Sequence, residues 1–222
     1  MQSTSRRMGR ESRPDQMTRR SASCERLLGP LEHNDWVAAV KFSPNGRLIT
    51  TATWHHEVRI YGGQNGGLLV EFPVHVNLAT SNQSLAWASD SKQLFALSRG
   101  GNVHCLDVST GTTLSEWAIH SSDNINCITL ASNSTFIAVS ANSSVSFWDT
   151  TTHEQIGFHI GYTHDITSMA ISTAYDLVAA AGSKVAVRNL CNVIPSSYRD
   201  DVGPHVLKAR CTSWLPNHNF WL

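Results

Sequence analysis

Charge is scarce in this chain. Only 15% of its 222 residues are Asp, Glu, Lys or Arg, and the two signs cancel at 17 each. That balance excludes both a uniformly basic nucleic-acid binder and an acidic solvated coil. Long apolar runs are missing as well. No stretch is long enough to span a membrane, and none near the N-terminus resembles a signal peptide. Cysteine is sparse and odd in number. Cys24, Cys105, Cys127, Cys191 and Cys211 are scattered, with no two spaced as metal ligands or as a redox pair. Without a secretion signal, the glycosylation sequons at Asn82, Asn133 and Asn142 read as chance in a Ser/Asn-rich chain. A reducing intracellular compartment, cytoplasmic or nuclear, is the expectation.

The signatures of common catalysts are absent too. There is no GxxxxGK[ST] phosphate loop, no HExxH, no GxSxG and no glycine-rich dinucleotide fingerprint. Eleven histidines invite a metal reading, but their spacing does not support it. His55 and His56 are adjacent on a turn, and His153, His159 and His164 have no cysteine or carboxylate at ligand spacing. No catalytic residue, cofactor or metal ligand is expected, and the chain is read as not an enzyme.

What is present is a composition of 41% hydrophobic residues in a background of Ser, Thr, Asn and Gly. Such a mixture suits many short strands joined by turns. Residues 1–26 stand apart. Seven arginines lie within residues 1–30 against Glu11, Asp15 and Glu25, whereas residues 31–222 hold ten basic and fourteen acidic residues. The arm has almost no apolar residues and no periodicity, so it is expected to be disordered. Its acidic residues and missing amphipathic stripe argue against a mitochondrial presequence.

From Leu27 the texture changes. Strand-like runs at 36–42, 47–53, 57–61 and 68–72 are separated by turn chemistry, including Ser43-Pro44-Asn45-Gly46. Val40 and Phe42 share one face of the first run. The unit then recurs. Phe42 corresponds to Trp87, Leu130, Ile171 and Trp214, at intervals of 45, 43, 41 and 43 residues. The third strand recurs as EVRIYG, NVHCLD, SVSFWD and KVAVRN, with valines at 58, 103, 145 and 185. Two independent marks thus keep one period of about 40–45 residues, the length of a four-stranded propeller blade. A lone four-stranded sheet buries its faces poorly, and stacking repeats covers both.

With these motifs the chain resembles the WD-repeat family of β-propellers over about residues 27–222. The most specific segment is 31–61, LEHNDWVAAVKFSPNGRLITTATWHHEVRIY, together with the Trp148-Asp149 pair of SVSFWDTTTHEQI. The wording is similar to fungal WD-repeat proteins, where such blocks are often carried behind an NTPase module.

The resemblance implies an all-β fold: a partial propeller of four complete four-stranded blades (33–72, 78–117, 120–158, 164–195) and an incomplete fifth at 205–222. Residues 27–31 look like the outer strand that closes a ring. The family's hydrogen-bonded tetrad uses a histidine before the first strand, a Ser/Thr in the second, an Asp in the next turn and the Trp of the third. His33 and His205 fit the histidine position. Trp148 fills the tryptophan position, where Tyr61, Leu106 and Arg188 stand in the other blades. The Asp position holds His55, Gly100, Asn142 and Gly182, so no blade has the full set. Asp107 and Asp149 end the third strands of their blades.

Function, by the resemblance, is a non-catalytic protein-interaction scaffold or sensor module. Trp54 and Arg99 at equivalent rim turns, with Asp35 and Asp165 in loops between blades, are candidate partner contacts. The two aspartates read more readily as turn-forming carboxylates that accept backbone N–H bonds. The partner is a protein, with no specific nucleic acid and no membrane. Self-association through the open edges of an incomplete ring is also expected. Two alternatives stand beside this reading. One is a fragment of a larger propeller protein, such as the C-terminal part of an NTPase-linked receptor, with no function of its own. The other is a propeller enzyme, which would need inward-pointing acids or histidines where this chain has Val40, Phe42, Ala86, Ile128 and Met169.

Overall fold

The structure, a computed structural model, describes residues 27–54, 57–72, 84–98, 100–119 and 125–198. The arm at 1–26 and the half blade expected at 205–222 lie outside the described residues.

Four antiparallel sheets follow one another along the chain. The first is β1 (Val37–Phe42), β2 (Leu48–Thr53), β3 (Val58–Gly62) and β4 (Leu68–Phe72). The second is β5 (Leu85–Trp87), β6 (Gln93–Leu97), β7 (Asn102–Asp107) and β8 (Thr112–Ala118). The third is β9 (Ile125–Leu130), β10 (Phe136–Ala141), β11 (Ser144–Asp149) and the two-residue β12 (Ile160–Gly161). The fourth has three described strands, β13 (Ser168–Ile171), β14 (Leu177–Ala181) and β15 (Val185–Asn189). Each sheet is a meander in sequence order. First strands meet across sheets, β1 with β5, β5 with β9 and β9 with β13. They form the inner edge of an arc of blades.

The sequence period has a structural meaning. Phe42, Trp87, Leu130 and Ile171 are the last residues of β1, β5, β9 and β13. Four residues later the backbone turns left-handed every time, at Gly46 (φ 69°), Ser91 (61°), Ser134 (62°) and Tyr175 (56°). The same two hydrogen bonds close each hairpin, for example Ser134 N–H to the Ala131 carbonyl and Ala131 N–H to the Phe136 carbonyl. Only the first hairpin has the glycine that this conformation favours. The others replace it with side chains that bind neighbouring sheets. Ser91 Oγ accepts from the Asn45 N–H (3.3 Å) and Ser134 Oγ from the Ser89 N–H (2.8 Å), so consecutive hairpins are latched together. Tyr175 instead buries its ring edge-on against Phe136.

The core consists of three layers, one between each pair of sheets. Ala39, Ala52, Val58 and Ile60 meet Leu85, Leu94 and Leu106 between sheets 1 and 2. Phe95, Val103 and Trp117 meet Ile128, Ile137 and Trp148 between sheets 2 and 3. Phe136, Phe147 and Val145 meet Met169, Tyr175 and Val178 between sheets 3 and 4. Alternating side chains feed opposite layers. Inner strands such as β10 (FIAVSA) are therefore buried on both faces and lose the polar alternation of a half-exposed strand.

Two segments differ from the sequence expectation. Residues 27–31 form no strand. Leu28 and Leu31 rest beside Gly66 in the turn between β3 and β4. After β15 the chain does not return as a fourth strand within the described residues. The N–H groups of Val193 and Ile194 both donate to the Leu190 carbonyl (2.9 Å each), coiling the chain tightly. Leu190, Val193 and Ile194 then insert into the layer between sheets 3 and 4, followed by a 3-10 turn at Ser196–Tyr198. Burying three apolar side chains there satisfies this stretch in place of strand pairing.

Candidate interaction surface

Meander topology sorts the loops to two ends. Turns between second and third strands, and the connections entering each sheet, lie at one end; the remaining turns lie at the other. Asp35 and Trp54 on sheet 1 and Asp165 on sheet 4 share the first end. Asp107 and Asp149 occupy the second. Arg99 and His205 lie outside the described residues, as do His55 and His56.

His33 is a framework residue. Its Nδ1–H donates to the Leu31 carbonyl (2.8 Å). That leaves Nε2 as the acceptor facing Thr51 Oγ1 (2.8 Å) and the Tyr61 hydroxyl (3.2 Å). Three tetrad positions therefore meet on the face of sheet 1 that no other described sheet covers, with a tyrosine hydroxyl in place of the indole N–H. Trp148 is buried, but its network differs. Val139 stands where sheet 1 has Thr51, so the indole N–H turns to Ser146 Oγ on its own strand (2.9 Å).

Asp107 and Asp149 shape equivalent turns. Asp107 accepts from the N–H groups of Ser109 (2.7 Å) and Thr110 (3.0 Å), and Asp149 from those of Thr151 (2.6 Å) and Thr152 (2.7 Å). The Ser109 hydroxyl and these N–H groups hold the Asp107 carboxyl below its ordinary range. Asp149 has a further bond: its second oxygen accepts from the Tyr198 hydroxyl at 2.6 Å. Partial burial pushes Asp149 upward, but the Tyr198 and threonine bonds outweigh it and the carboxyl stays below its ordinary range. The same bond to Asp149, aided by burial, pushes Tyr198 up to about 12. Asp149 of the Trp-Asp pair thus anchors the segment that follows sheet 4, a role no spacing in the sequence marks.

The pH dependence of this clasp has a definite sign. Tyr198 is raised above its ordinary value of 10, so its contribution is complete below pH 10 and is lost as pH climbs through 10 to 12. Asp149 is depressed, so its contribution is present at neutral pH and lost in acid. Tyr198→Phe is expected to cost about 1 kcal/mol at pH 7, a charge-assisted hydrogen bond discounted for partial exposure. Urea titrations of both proteins at pH 7, 10 and 11.5 would check it. Their stabilities should converge at the highest pH; parallel curves would mean the clasp contributes nothing.

His153 is also structural. It adopts φ 61°, stacks on Trp117 of sheet 2 (4.1 Å, 9°) and places Nε2 3.3 Å from Ser115 Oγ. It is a contact between sheets 2 and 3. The groove beside the β3–β4 turn, about 460 Å³, is lined by Arg47, Leu48, Gly62, Gly63, Gln64, Asn65 and Leu69, with Arg47 its single charge.

The rim of sheet 1 is different in kind. Strand β1 begins at Val37, which leaves Trp36 outside the sheet and 80% exposed. Trp54 is 54% exposed, and its N–H donates to the Trp36 carbonyl at 3.0 Å. Two indoles are therefore held at one corner of the arc. Reading Trp36 as the first strand residue hid it from the sequence argument.

Residues 25–62 and 111–149 match the WD40 family model, described as WD domain, G-beta repeat. Both stretches are WD repeats. The second match starts in the turn before β8 and ends with β11, so the family repeat is offset by one strand from the sheet. Over 130 residues the chain is 24% identical to the small ribosomal subunit protein RACK1 of Caenorhabditis elegans. The match covers 58% of this chain and 38% of that protein, so the chain spans well under half of the relative's length. No described helix is long and apolar enough to cross a membrane.

Proposed function

We propose that this chain is a non-catalytic protein-interaction module, with Trp36 and Trp54 as the anchors for its protein partner. The exposure of the two indoles carries the reading. Large aromatic side chains are uncommon on free surfaces and dominate the energetics of interfaces. They sit on a rim turn of a WD-repeat fold, whose function lies in its surface loops. Asp35 and Asp165 at the same end, and Arg99, which the repeat register of the sequence matches to Trp54, would contribute polar contacts. The name of the nematode relative places that protein in the small ribosomal subunit. Here residues 31–222 carry fourteen acidic and ten basic residues, which favours a protein contact over an RNA contact.

The test uses the full chain. Proteins that co-purify with it should bind the Trp36→Ala, Trp54→Ala double variant at least about 30-fold more weakly, as expected for two hot-spot residues. The melting temperature should be unchanged. Binding that survives the double substitution would remove the rim from the proposal.

A further inference from the structure

The two ends of the arc expose opposite faces of the same kind of interface. At one end Val40 and Phe42 on β1 are 60% and 62% exposed. At the other, Val185 and Val187 on β15 are 72% and 59% exposed, with Ala170, Ala179 and Leu177 around them. Counted in repeat register, Val185 and Val187 correspond to Val58 and Ile60. Val40 and Phe42 correspond to Leu85 and Trp87. Within the chain, Val58, Ile60 and Leu85 are fully buried together in the layer between sheets 1 and 2. On the first and third strands, positions that join two neighbouring sheets inside the molecule are thus exposed at the ends of the described arc, whereas Ile49 and Tyr61 on the same face of sheet 1 are buried.

We propose that two copies of the chain pair head to tail, the open face of sheet 4 in each packing on the open face of sheet 1 in the other. The chemistry is complementary in the same way as the internal layers. Sheet 4 offers small and β-branched side chains with no charge among those named. Sheet 1 offers a larger aromatic and aliphatic pair. Its charges near that face, Arg59 with Glu57 (3.1 Å) and Glu71 (3.0 Å), are already paired with each other. A contact between unlike faces repeats until it closes. Two copies related by a twofold axis along the centre of the arc form two identical contacts, each between the described sheet 4 of one copy and sheet 1 of the other. A stable interface needs roughly 800 Å² from each partner, and the twofold arrangement adds a second contact to the same association.

Light scattering behind size exclusion on the full chain tests this. The expected mass is twice the 24.4 kDa of one chain. Val187→Glu and Phe42→Glu each place a charge in both contacts of a homodimer, and each should weaken pairing by at least about 100-fold. Both residues are solvent-exposed in the single chain, so far-UV circular dichroism and the melting temperature of the monomer should be unaffected. Val185→Lys and Val40→Lys serve as substitutes if either variant fails to fold. Mixing the two glutamate variants should restore 1:1 pairs, because one contact then joins an unaltered sheet 4 to an unaltered sheet 1. A monomeric wild type, as when other residues of the same chain cover sheet 4, overturns the proposal. So do a ladder of larger species, a Val187→Glu protein that still dimerises, and a mixture that stays monomeric.

Discussion

Phe136→Ala is expected to lower the unfolding free energy by about 3–5 kcal/mol, the range for removing a buried phenylalanine. Phe136 is fully buried on β10 and meets three rings edge-on: Phe147 at 6.3 Å, Tyr175 at 6.3 Å and Tyr198 at 6.2 Å. Those rings come from its own sheet, from the hairpin of sheet 4 and from the segment after sheet 4. Truncation therefore removes packing area and three aromatic contacts at once, each worth about 0.5–1.5 kcal/mol beyond burial. The site cannot collapse easily, because its neighbours are fixed by separate backbones.

A whole domain is held by only about 5–15 kcal/mol, so the variant should be folded marginally or not at all. Stability in a stacked repeat comes from nearest-neighbour layers. Sheets 3 and 4 should separate before sheets 1 and 2, with a shallower urea transition than wild type. Phe158→Ala, at a well-exposed position, is the control and should change stability by less than about 0.5 kcal/mol. A Phe136→Ala protein within 1 kcal/mol of wild type would mean that sheets 3 and 4 are not packed as described.

The period of the repeat was legible because hairpin geometry forces it. Phe42, Trp87, Leu130 and Ile171 recur since each ends an inner strand ahead of the same left-handed hairpin. The residues in that left-handed position, Gly46, Ser91, Ser134 and Tyr175, share no chemistry, and no sequence pattern picks them out. Their side chains answer to the neighbouring sheet, which lies about 45 residues away in the chain. The same limit applies to the faces. Alternation places Val40 and Phe42 together, as they are, but cannot say whether another sheet covers them. Ile137 and Val139 on β10 also share a face, and they are buried because sheet 2 lies against it.

Long-range pairs were the least legible part of the candidate site. His33 could be placed by its distance from Pro44, and its partners by strand register. The bond between Asp149 and Tyr198 joins residues 49 positions apart through a segment that departs from the repeat. Residues 190–198 leave the pattern because three apolar side chains find more burial between sheets than a fourth strand would offer at the edge. Trp36 was missed for a smaller reason, a strand that begins one residue later than its apolar run.

Gly157→Ala should expose how much depends on that departing segment. Gly157 has φ 62°, a conformation that costs a residue with a Cβ roughly 1–2 kcal/mol. An added methyl would also collide with the carbonyl oxygen of Val193, which is backbone and cannot rotate aside. Strain and collision act on the same atom, so the total is expected to reach about 2–4 kcal/mol. The collision can be relieved by moving residues 190–198 outward. That shift would withdraw Val193 and Ile194 from the core and take Tyr198 away from Asp149. Gly157→Ala should therefore lose the stability change between pH 10 and 12 that the clasp gives wild type, and adding Tyr198→Phe to it should cost almost nothing more. Gly161→Ala, where a Cβ would meet nothing within 4 Å, is the matched control and should remain within about 0.5 kcal/mol of wild type. Urea titrations of the two alanine variants and the double variant at pH 7 and 11.5 decide the matter. If Gly157→Ala keeps the full alkaline dependence, the turn at Gly157 does not support the segment, and the clasp is held by Leu190 and the Phe136 ring alone.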